Sequence, residues 1–222
     1  MSGMYDPSGR GEVTIDTNYG INYEGEIISD ILVIPYQVEI DGELYKITSV
    51  DLMVSSDNWS RSFPDVNTII YPNTVTEIFG QKNTTPLGEN SVLEKVVLPH
   101  NITCIPDGLF SACTNIKEIT IPNAVTEIEK SAFFACEKLT TITIPSGVTN
   151  IAYETFRSCN LLETINIPKT VEFIDDYAFF YCSSLTAVNY EGTEEEWNAI
   201  TIGSYNSTLT NATINYNYNY NM

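Results

Sequence analysis

Hydrophobic and polar positions follow a repeating unit of 23 residues along this chain, and the unit is clearest at residues 139–161. Each unit begins with apolar residues two apart that end at a proline, continues through a second short apolar stretch and finishes with Phe-x-x-Cys. Alternating apolar residues with β-branched neighbours predict a strand with one face in the core, and proline ends it because proline lacks the N–H that a ladder needs. The in-phase residues are Pro99, Pro122, Pro145 and Pro168; Ile102, Val125, Val148 and Val171; Phe110, Phe133, Phe156 and Phe179; and Cys113, Cys136, Cys159 and Cys182.

A fixed period of this length predicts a solenoid, in which each repeat is one coil. Phe-x-x-Cys is spaced like one helical or 3₁₀ turn with Phe and Cys pointing inward. The sequence therefore predicts an α/β repeat, a right-handed solenoid of about six coils with a parallel β-sheet on one face and a cap at each end. We expect one domain, with an N-terminal cap and hairpin over residues 1–46, repeats over 47–190, and a C-terminal cap and tail over 191–222.

The N-terminal residues are strand-like in composition but out of phase with the repeat. Val13–Ile15 and Ile21–Tyr23 flank a turn and are expected to pair as a hairpin within the cap. Asp41–Gly42 stands between Val38–Ile40 and Leu44–Tyr45, and this dipeptide is a strong signal for a second hairpin. A cap is needed here because the first coil would otherwise expose the edge of its core.

The C-terminal residues predict a second cap. Thr193 with Glu196 three residues later is typical of a capping box that opens a short helix. Trp197 and Ile200 are then expected to close the last coil. Residues 212–222 begin as a capping strand and continue as Asn-Tyr alternation, which predicts a frayed terminus.

The repeat resembles the BspA-like branch of the leucine-rich repeat family, whose unit reads L-x-x-I-x-I-P-x-x-V-x-x-I-x-x-x-A-F-x-x-C. The resemblance covers residues 31–190, and residues 190–200 are similar to the family's closing segment, Y-x-G-T-x-x-x-W-x-x-I. It implies a bacterial surface or secreted adhesion protein that binds proteins of a host or a neighbouring cell. It supplies no ligand residues. The N-terminus lacks the features of a signal peptide, so a cytoplasmic location stays open beside an extracellular one.

Charge and cysteine usage narrow the classes of partner and cofactor. The chain has 29 acidic and 10 basic residues, and its net charge of −19 repels phosphate backbones and anionic lipid. No nucleic acid or membrane partner is expected, and no apolar run is long enough for membrane insertion. The in-phase cysteines predict a ladder of buried thiols, because parallel Cβ vectors do not suit disulfides. With one histidine, His100, and no Cys-x-x-Cys pair, neither a metal nor another cofactor is expected.

The sequence contains no constellation that is typical of an enzyme. Catalysis needs a nucleophile with a base, paired carboxylates in a cleft, or a metal. His100 lies in a turn after a strand without a periodic Ser or Cys partner, and each thiol of the ladder is a repeat position. Paired carboxylates such as Asp175–Asp176 lie in turns, where capping explains them. We therefore predict that the chain has no catalytic activity.

Two early coils exceed the period, because Ile47 to Val75 spans 28 residues and Val75 to Ile102 spans 27. The extra residues fall within 53–65 and 79–86, and the two loops should emerge side by side on one flank. Insertions in repeat proteins often map to a binding face, and Trp and Arg are typical of interface hot spots. Alternatively, these are tolerated loops whose aromatic residues cover a widened coil. The candidate binding residues are Trp59, Arg61, Phe63, Phe79, Gln81 and Lys82.

The outward positions of the predicted sheet are mostly Thr and Asn, without charge or aromatic anchors. We interpret them as residues chosen for strand propensity, although leucine-rich repeats often bind partners on this face. The predicted function is a non-catalytic, monomeric module that binds a protein. Two alternatives remain: a rigid spacer within a larger assembly, and carbohydrate binding through Trp59, Phe63 and the tyrosines.

Overall fold

The structure is a computed structural model that describes residues 12–16, 27–28, 31–40, 43–51, 66–79 and 92–219. Strands before the regular repeats are β1 (Glu12–Asp16), β2 (Ile27–Ile28), β3 (Ile31–Val33), β4 (Gln37–Ile40), β5 (Glu43–Asp51), β6 (Thr68–Ile70), β7 (Glu77–Phe79) and β8 (Lys95–Val97). They are followed by β9 (Cys104–Ile105), β10 (Glu127–Ile128), β11 (Thr141–Thr143), β12 (Asn150–Ile151), β13 (Thr164–Ile167), β14 (Phe173–Ile174), β15 (Ala187–Tyr190), α1 (Glu194–Ala199), β16 (Thr201–Ile202), α2 (Ser207–Thr210) and β17 (Thr213–Asn215).

The strands confirm a solenoid of parallel strands. In the regular part, Thr141 of β11 is opposite Thr164 of β13, which is opposite Ala187 of β15, so each coil lies one period above the last. β17 extends this sheet as its fourth strand, and β2, β3, β6 and β8 form the corresponding sheet in the earlier coils. The second short apolar stretch of each unit forms another, narrower ladder, which includes the parallel strands β12, β14 and β16.

The main sheet is interrupted in the coil between β8 and β11. The apolar alternation of Ile119 and Ile121 predicts a strand there, but residues 118–120 form none, and this expectation was wrong. Both isoleucines are still buried. A cavity of about 460 Å³ is lined by residues 118–121 and β11, although the Thr140 N–H donates to the Lys117 carbonyl oxygen at 3.0 Å across the same two coils. The two isoleucine side chains therefore point into the core, but the backbone of this segment does not join the ladder.

The turn that precedes each cysteine is not the predicted helical or 3₁₀ turn. Two residues per regular coil have φ between 54° and 65°, in the left-handed region, and this lets their N–H groups point along the solenoid. The N–H groups of Ala112, Ala135 and Ser158 donate to carbonyl oxygens of the next coil at 2.7–2.8 Å, which gives a third ladder opposite the sheet. The left-handed residues are Gly108, Ser131, Glu154 and Tyr177, and Ala112, Ala135, Ser158 and Tyr181.

The core below this turn confirms that Phe and Cys point inward. Phe110, Phe133, Phe156 and Phe179 are buried and stacked, with ring centroids 5.2–5.5 Å apart. Each in-phase thiol from the second onward donates to the carbonyl oxygen of a phenylalanine in the preceding coil, as Cys159 does to Phe133 at 3.2 Å. The cysteines are free and buried, which confirms the thiol ladder.

Both ends carry capping elements within the described residues. At the N-terminal end β4 and β5 pair antiparallel, as the Asp41–Gly42 signal predicts, while β1 lies parallel to β5. The expected partner of β1, Ile21–Tyr23, lies outside the described residues. At the C-terminal end the capping box of Thr193 and Glu196 opens α1. Trp197 is buried and packs edge-on against Tyr190, with ring centroids 5.2 Å apart.

Candidate functional site

The candidate residues of the two inserted loops are only partly described. Trp59, Arg61, Phe63, Gln81 and Lys82 lie outside the described residues. Phe79 was predicted to lie in the second loop, but it is the last residue of β7, opposite Asp51 of β5. Phe79 belongs to β7 because the apolar alternation through Ile78 extends this strand of the second ladder by one residue before the insertion begins. The Phe79 side chain is 37% exposed at this strand end.

The outward face of the main sheet carries a row of side-chain amides that bond to one another. Asn166 donates to the hydroxyl of Thr143 at 2.7 Å, Asn189 donates to Asn166 at 2.8 Å, and Asn215 donates to Asn189 at 2.9 Å. We refer to these four residues as the amide row. Each asparagine amide donates to a side-chain oxygen of the preceding coil, so the row stabilises the stack of coils without a partner.

The opposite face, on the turn side, carries an aromatic surface that the sequence analysis did not identify. Its rings come from three successive turns. Tyr177 and Tyr205 are stacked at 4.2 Å with an interplanar angle of 11°, and Phe180 contacts Tyr181 at 4.1 Å. Phe180 also packs edge-on against both Tyr177 and Tyr205, and Tyr153 packs edge-on against Tyr177 at 5.8 Å. We name Tyr153, Tyr177, Phe180, Tyr181 and Tyr205 the tyrosine cluster.

Arg157 lies at the inner edge of the tyrosine cluster. Its guanidinium is 5.5–5.8 Å from the ring centroids of Phe134, Tyr177 and Phe180, within the range of cation–π attraction. It also forms an ion pair with Glu154, which lies three residues earlier on the same turn. The arginine therefore holds rings from adjacent coils together, and its charge is neutralised locally by Glu154.

Three members of the cluster are strongly exposed to solvent: Tyr153 by 40%, Tyr181 by 60% and Tyr205 by 56%. Tyr177, Tyr181 and Tyr205 also have φ of 60°, 61° and 64°. Left-handed backbone costs a bulky L-residue roughly 1–2 kcal/mol, and glycine would avoid that cost. Ala112, Ala135 and Ser158 have the same left-handed backbone in other turns, so the backbone alone does not mark a site. What distinguishes the three tyrosines is that they place large rings at such positions, two of them strongly exposed, and this supports the hypothesis of a binding surface.

The hydroxyl groups of the stacked pair are also connected. A side-chain hydrogen bond with Tyr205 raises the pKa of Tyr177, and partial loss of solvent and nearby groups, including Asp176, raise it further. Asp176 in turn accepts the N–H of Ser204 at 2.5 Å, so its carboxylate is fixed next to the cluster. The tyrosine cluster is therefore a neutral aromatic surface with fixed carboxylates close by, and Tyr177 stays un-ionised at neutral pH.

A second concave region lies beside the narrow ladder and is acidic. A cavity of about 470 Å³ is lined by Asp107, Glu127, Glu129 and Lys130 among others, and Lys130 is 3.5 Å from Asp107. Cys104 lies next to these carboxylates, and burial together with Glu129 and Glu127 raises its pKa to about 12. Its thiol is therefore protonated at neutral pH and is a poor nucleophile. In the part of the chain that is described, no group of three or more His, Cys, Asp or Glu could hold a metal ion.

The sequence contains one indication of the tyrosine cluster that the 23-residue period alone does not show. Tyr177 and Tyr181 occupy the same two repeat phases as Glu154 and Ser158. The backbone at those phases is left-handed, a property that the sequence of non-glycine residues does not reveal. Once the left-handed turn is known, bulky residues at these phases stand out as candidates for function.

The turns and ladders define a solenoid repeat protein. Residues 89–209 match the BspA type leucine rich repeat region in six copies. This match covers more than half of the 222 residues, and the chain belongs to the family of BspA type leucine-rich repeat proteins. Within the described residues, no helix is long and apolar enough to cross a membrane.

Solved structures of bacterial leucine-rich repeat proteins have the same fold. The leucine-rich repeat protein of T. pallidum is 21% identical, with a TM-score of 0.64 over 86% of this chain and 77% of that chain. A leucine-rich repeat protein of Bacteroides ovatus is 16% identical, with a TM-score of 0.51 over 97% of this chain and 70% of that chain. At these identities the likeness concerns the fold alone. No curated protein sequence matches the chain.

Proposed function

We propose that this chain is a non-catalytic module that binds a protein partner through the tyrosine cluster. The observation that carries the proposal is the set of exposed tyrosines held on left-handed backbone beside Arg157. Tyr and Arg are enriched among the residues that dominate interface energies, and tyrosine offers a large contact area at a low cost in side-chain entropy. The rings are already packed against one another, so little ordering is required when a partner binds.

Family membership and surface chemistry support the location and class of the module. BspA type leucine-rich repeats resemble bacterial surface and secreted adhesion proteins, and we propose that this chain acts at the cell surface or after secretion. The acidic cavity near Asp107 has no activated nucleophile, since the adjacent Cys104 thiol is held protonated. This supports binding rather than catalysis as the function.

The inserted loops remain a second proposed contact region. Trp59, Arg61 and Phe63 bring hot-spot residue types to one coil, and Gln81 and Lys82 lie in the next insertion. A partner that spans both regions would contact the early coils through the loops and the late coils through the cluster. Carbohydrate binding by the exposed tyrosines and a spacer role are the competing functions, and the experiment below separates them.

Peptide selection tests the proposal without knowledge of the natural partner. A library of random peptides displayed on phage is selected on the unaltered chain, and the affinity of each selected peptide is then measured for the double variant Tyr181→Ala/Tyr205→Ala. Tyr36→Ala is the matched control, because Tyr36 is 59% exposed and lies outside the cluster. Thr141→Ala/Thr164→Ala tests the sheet face, and Trp59→Ala/Arg61→Ala tests the first loop.

We expect selected peptides that bind the unaltered chain, the Tyr36 control and the sheet-face variant equally, and bind the cluster variant at least about tenfold more weakly. A second set that loses binding only with the loop variant would assign the loops a contact of their own. Failure to enrich any peptide, while the same chain binds neutral glycans, would contradict protein binding. Failure with both kinds of ligand would favour the spacer.

A further inference from the structure

We propose that the partner surface seated on the tyrosine cluster is a basic segment, whose Lys or Arg side chains lie on the exposed tyrosine rings and against the carboxylates beside them. This inference rests on the proposed function and names the chemistry of its partner. It depends on three features of the surface: ring faces that accept cations, carboxylates fixed next to the rings, and the charge of the whole chain.

The rings already accept a cation from within the chain. The Arg157 guanidinium lies 5.5 Å from the centroid of Phe180 and 5.8 Å from that of Tyr177, on the inner side of the cluster. On the outer side, Tyr181 and Tyr205 are 60% and 56% exposed, so a large part of each ring remains accessible to a cation from a partner. The face of an aromatic ring is its electron-rich side, and arginine is the cation that most often occupies it.

Fixed carboxylates lie at the base of the same turns. Asp175 accepts the N–H of Asp176 at 2.7 Å, and Asp176 accepts the N–H of Ser204 at 2.5 Å. The second bond holds the Asp176 carboxylate next to Tyr177, where it contributes to the raised pKa of the phenol. A Lys or Arg side chain that stacks on the cluster can therefore reach a carboxylate that is already oriented, and such charge-assisted bonds are stronger than neutral ones.

The local and overall charges disfavour an acidic partner. Arg157 is the cation of the cluster, and it is already paired with Glu154. The chain carries a net charge of −19, so it attracts basic surfaces over a distance of about a Debye length and repels acidic ones. Charge complementarity of this kind increases the association rate and suppresses wrong partners.

The test uses the peptides selected above and a defined probe. The probe is a fluorescent octapeptide of alternating arginine and serine, with the glutamate–serine octapeptide as its acidic counterpart. Tyr181→Ala/Tyr205→Ala removes two rings without changing the net charge, so any loss of affinity cannot come from weaker long-range attraction. Tyr181→Phe/Tyr205→Phe keeps both rings, and Asp176→Asn removes one carboxylate beside them.

We expect the selected peptides to be enriched in Lys and Arg, and the arginine probe to bind with an affinity that falls as salt is added. The ring-deleting variant should lose at least about fivefold in affinity for the probe, and Asp176→Asn about threefold, while the Phe variant stays within about twofold. The Tyr36→Ala control should bind as the unaltered chain does.

Three results would overturn the inference. Selected peptides that depend on the cluster but are neutral or acidic would leave the proposed function standing and remove the basic partner. Equal probe binding by the ring-deleting variant would show that the peptide follows net charge alone. Cluster-dependent binding of a neutral glycan, with no binding of the arginine probe, would replace the protein segment with a sugar.

Discussion

The polar side chains on one long face of the solenoid and the aromatic side chains on the other are arranged in opposite ways. On the sheet face, the amide row from Thr143 to Asn215 satisfies its hydrogen bonds between coils, so the repeat itself explains these residues. On the turn face, large rings are held at left-handed positions and exposed to water. The first arrangement stabilises the fold. The second exposes large rings that the left-handed backbone does not require, since Ala135 and Ser158 occupy the same phase as Tyr181, and we take binding to be the explanation.

Repetition explains why the two faces differ. A parallel stack places identical side chains one above another, and amides in such a stack can bond along the whole sheet. Residues at the turn positions of the repeat do not need identical side chains, because the ladder between the turns uses backbone N–H groups and the side chains are free to vary. Ser131, Glu154 and Tyr177 therefore share one backbone geometry with very different side chains.

The largest expected effect concerns the layer directly beneath the turn face. Phe156→Ala removes the ring that stacks on both Phe133 and Phe179, and we expect it to lower the free energy of unfolding by about 3–5 kcal/mol. Urea unfolding measures this loss. Tyr153→Ala on the surface above should cost less than about 1 kcal/mol. Similar losses for the two variants would mean that the exposed rings are structural, and the contrast between the faces would disappear.

A smaller loss is expected on the sheet face. Asn189→Ala leaves the Asn166 oxygen and the Asn215 amide without their bonds, and we expect a loss of about 2 kcal/mol in stability. The exposed Thr141→Ala is the control and should stay within about 0.5 kcal/mol. Urea unfolding of both variants, with binding of the selected peptides, checks the result. An Asn189→Ala protein that keeps its stability but no longer binds would make the sheet face the interface.

Alkaline pH tests the thiol ladder. Burial raises the pKa of Cys182 from 9.0 to about 12, so between these values the unfolded chain loses a proton that the native chain retains. The contribution of this thiol to stability should therefore be complete below about pH 9 and fall above it, by about 1.4 kcal/mol per pH unit. Urea unfolding between about pH 8 and about pH 10 should show a shallower fall for Cys182→Ala than for the unaltered chain. Equal slopes would contradict the buried, protonated thiol.

The smallest expected effect isolates the strain on the turn face. Tyr181→Gly and Tyr181→Ala both remove the ring, but only glycine relieves the left-handed backbone at φ 61°. We expect the glycine variant to be more stable than the alanine variant by about 1 kcal/mol in thermal unfolding. Ser158→Gly, at the same repeat phase without an exposed ring, should also gain stability but keep full binding. A glycine variant less stable than the alanine variant would show that the backbone is not strained there.

The regular parts of the fold could be predicted from the sequence because they are periodic or have a local motif. The strand phases, the stacked phenylalanines, the thiols and the capping box at Thr193 all follow from spacing. The missing strand at residues 118–120 could not be predicted, since its apolar pattern is the same as that of its neighbours and Ile119 and Ile121 are buried as theirs are.

The candidate site could not be predicted for a different reason. Its members come from different phases of three successive turns, so no single period connects Tyr153, Phe180 and Tyr205. Only the left-handed turn brings them to one surface. The inserted loops could be predicted because an insertion breaks the period, and Trp59 and Arg61 stay a prediction.

The most direct test of the difference between the two faces compares binding and stability in the same variants. The affinity of a selected peptide is measured for the unaltered chain, for Tyr181→Gly and for Thr141→Ala/Thr164→Ala, together with the melting temperature of each. We expect Tyr181→Gly to lose at least about tenfold in affinity while its melting temperature stays the same or rises, and the sheet variant to stay within about twofold. Full binding by Tyr181→Gly, with loss of binding in the sheet variant, would contradict the assignment of the turn face as the interface.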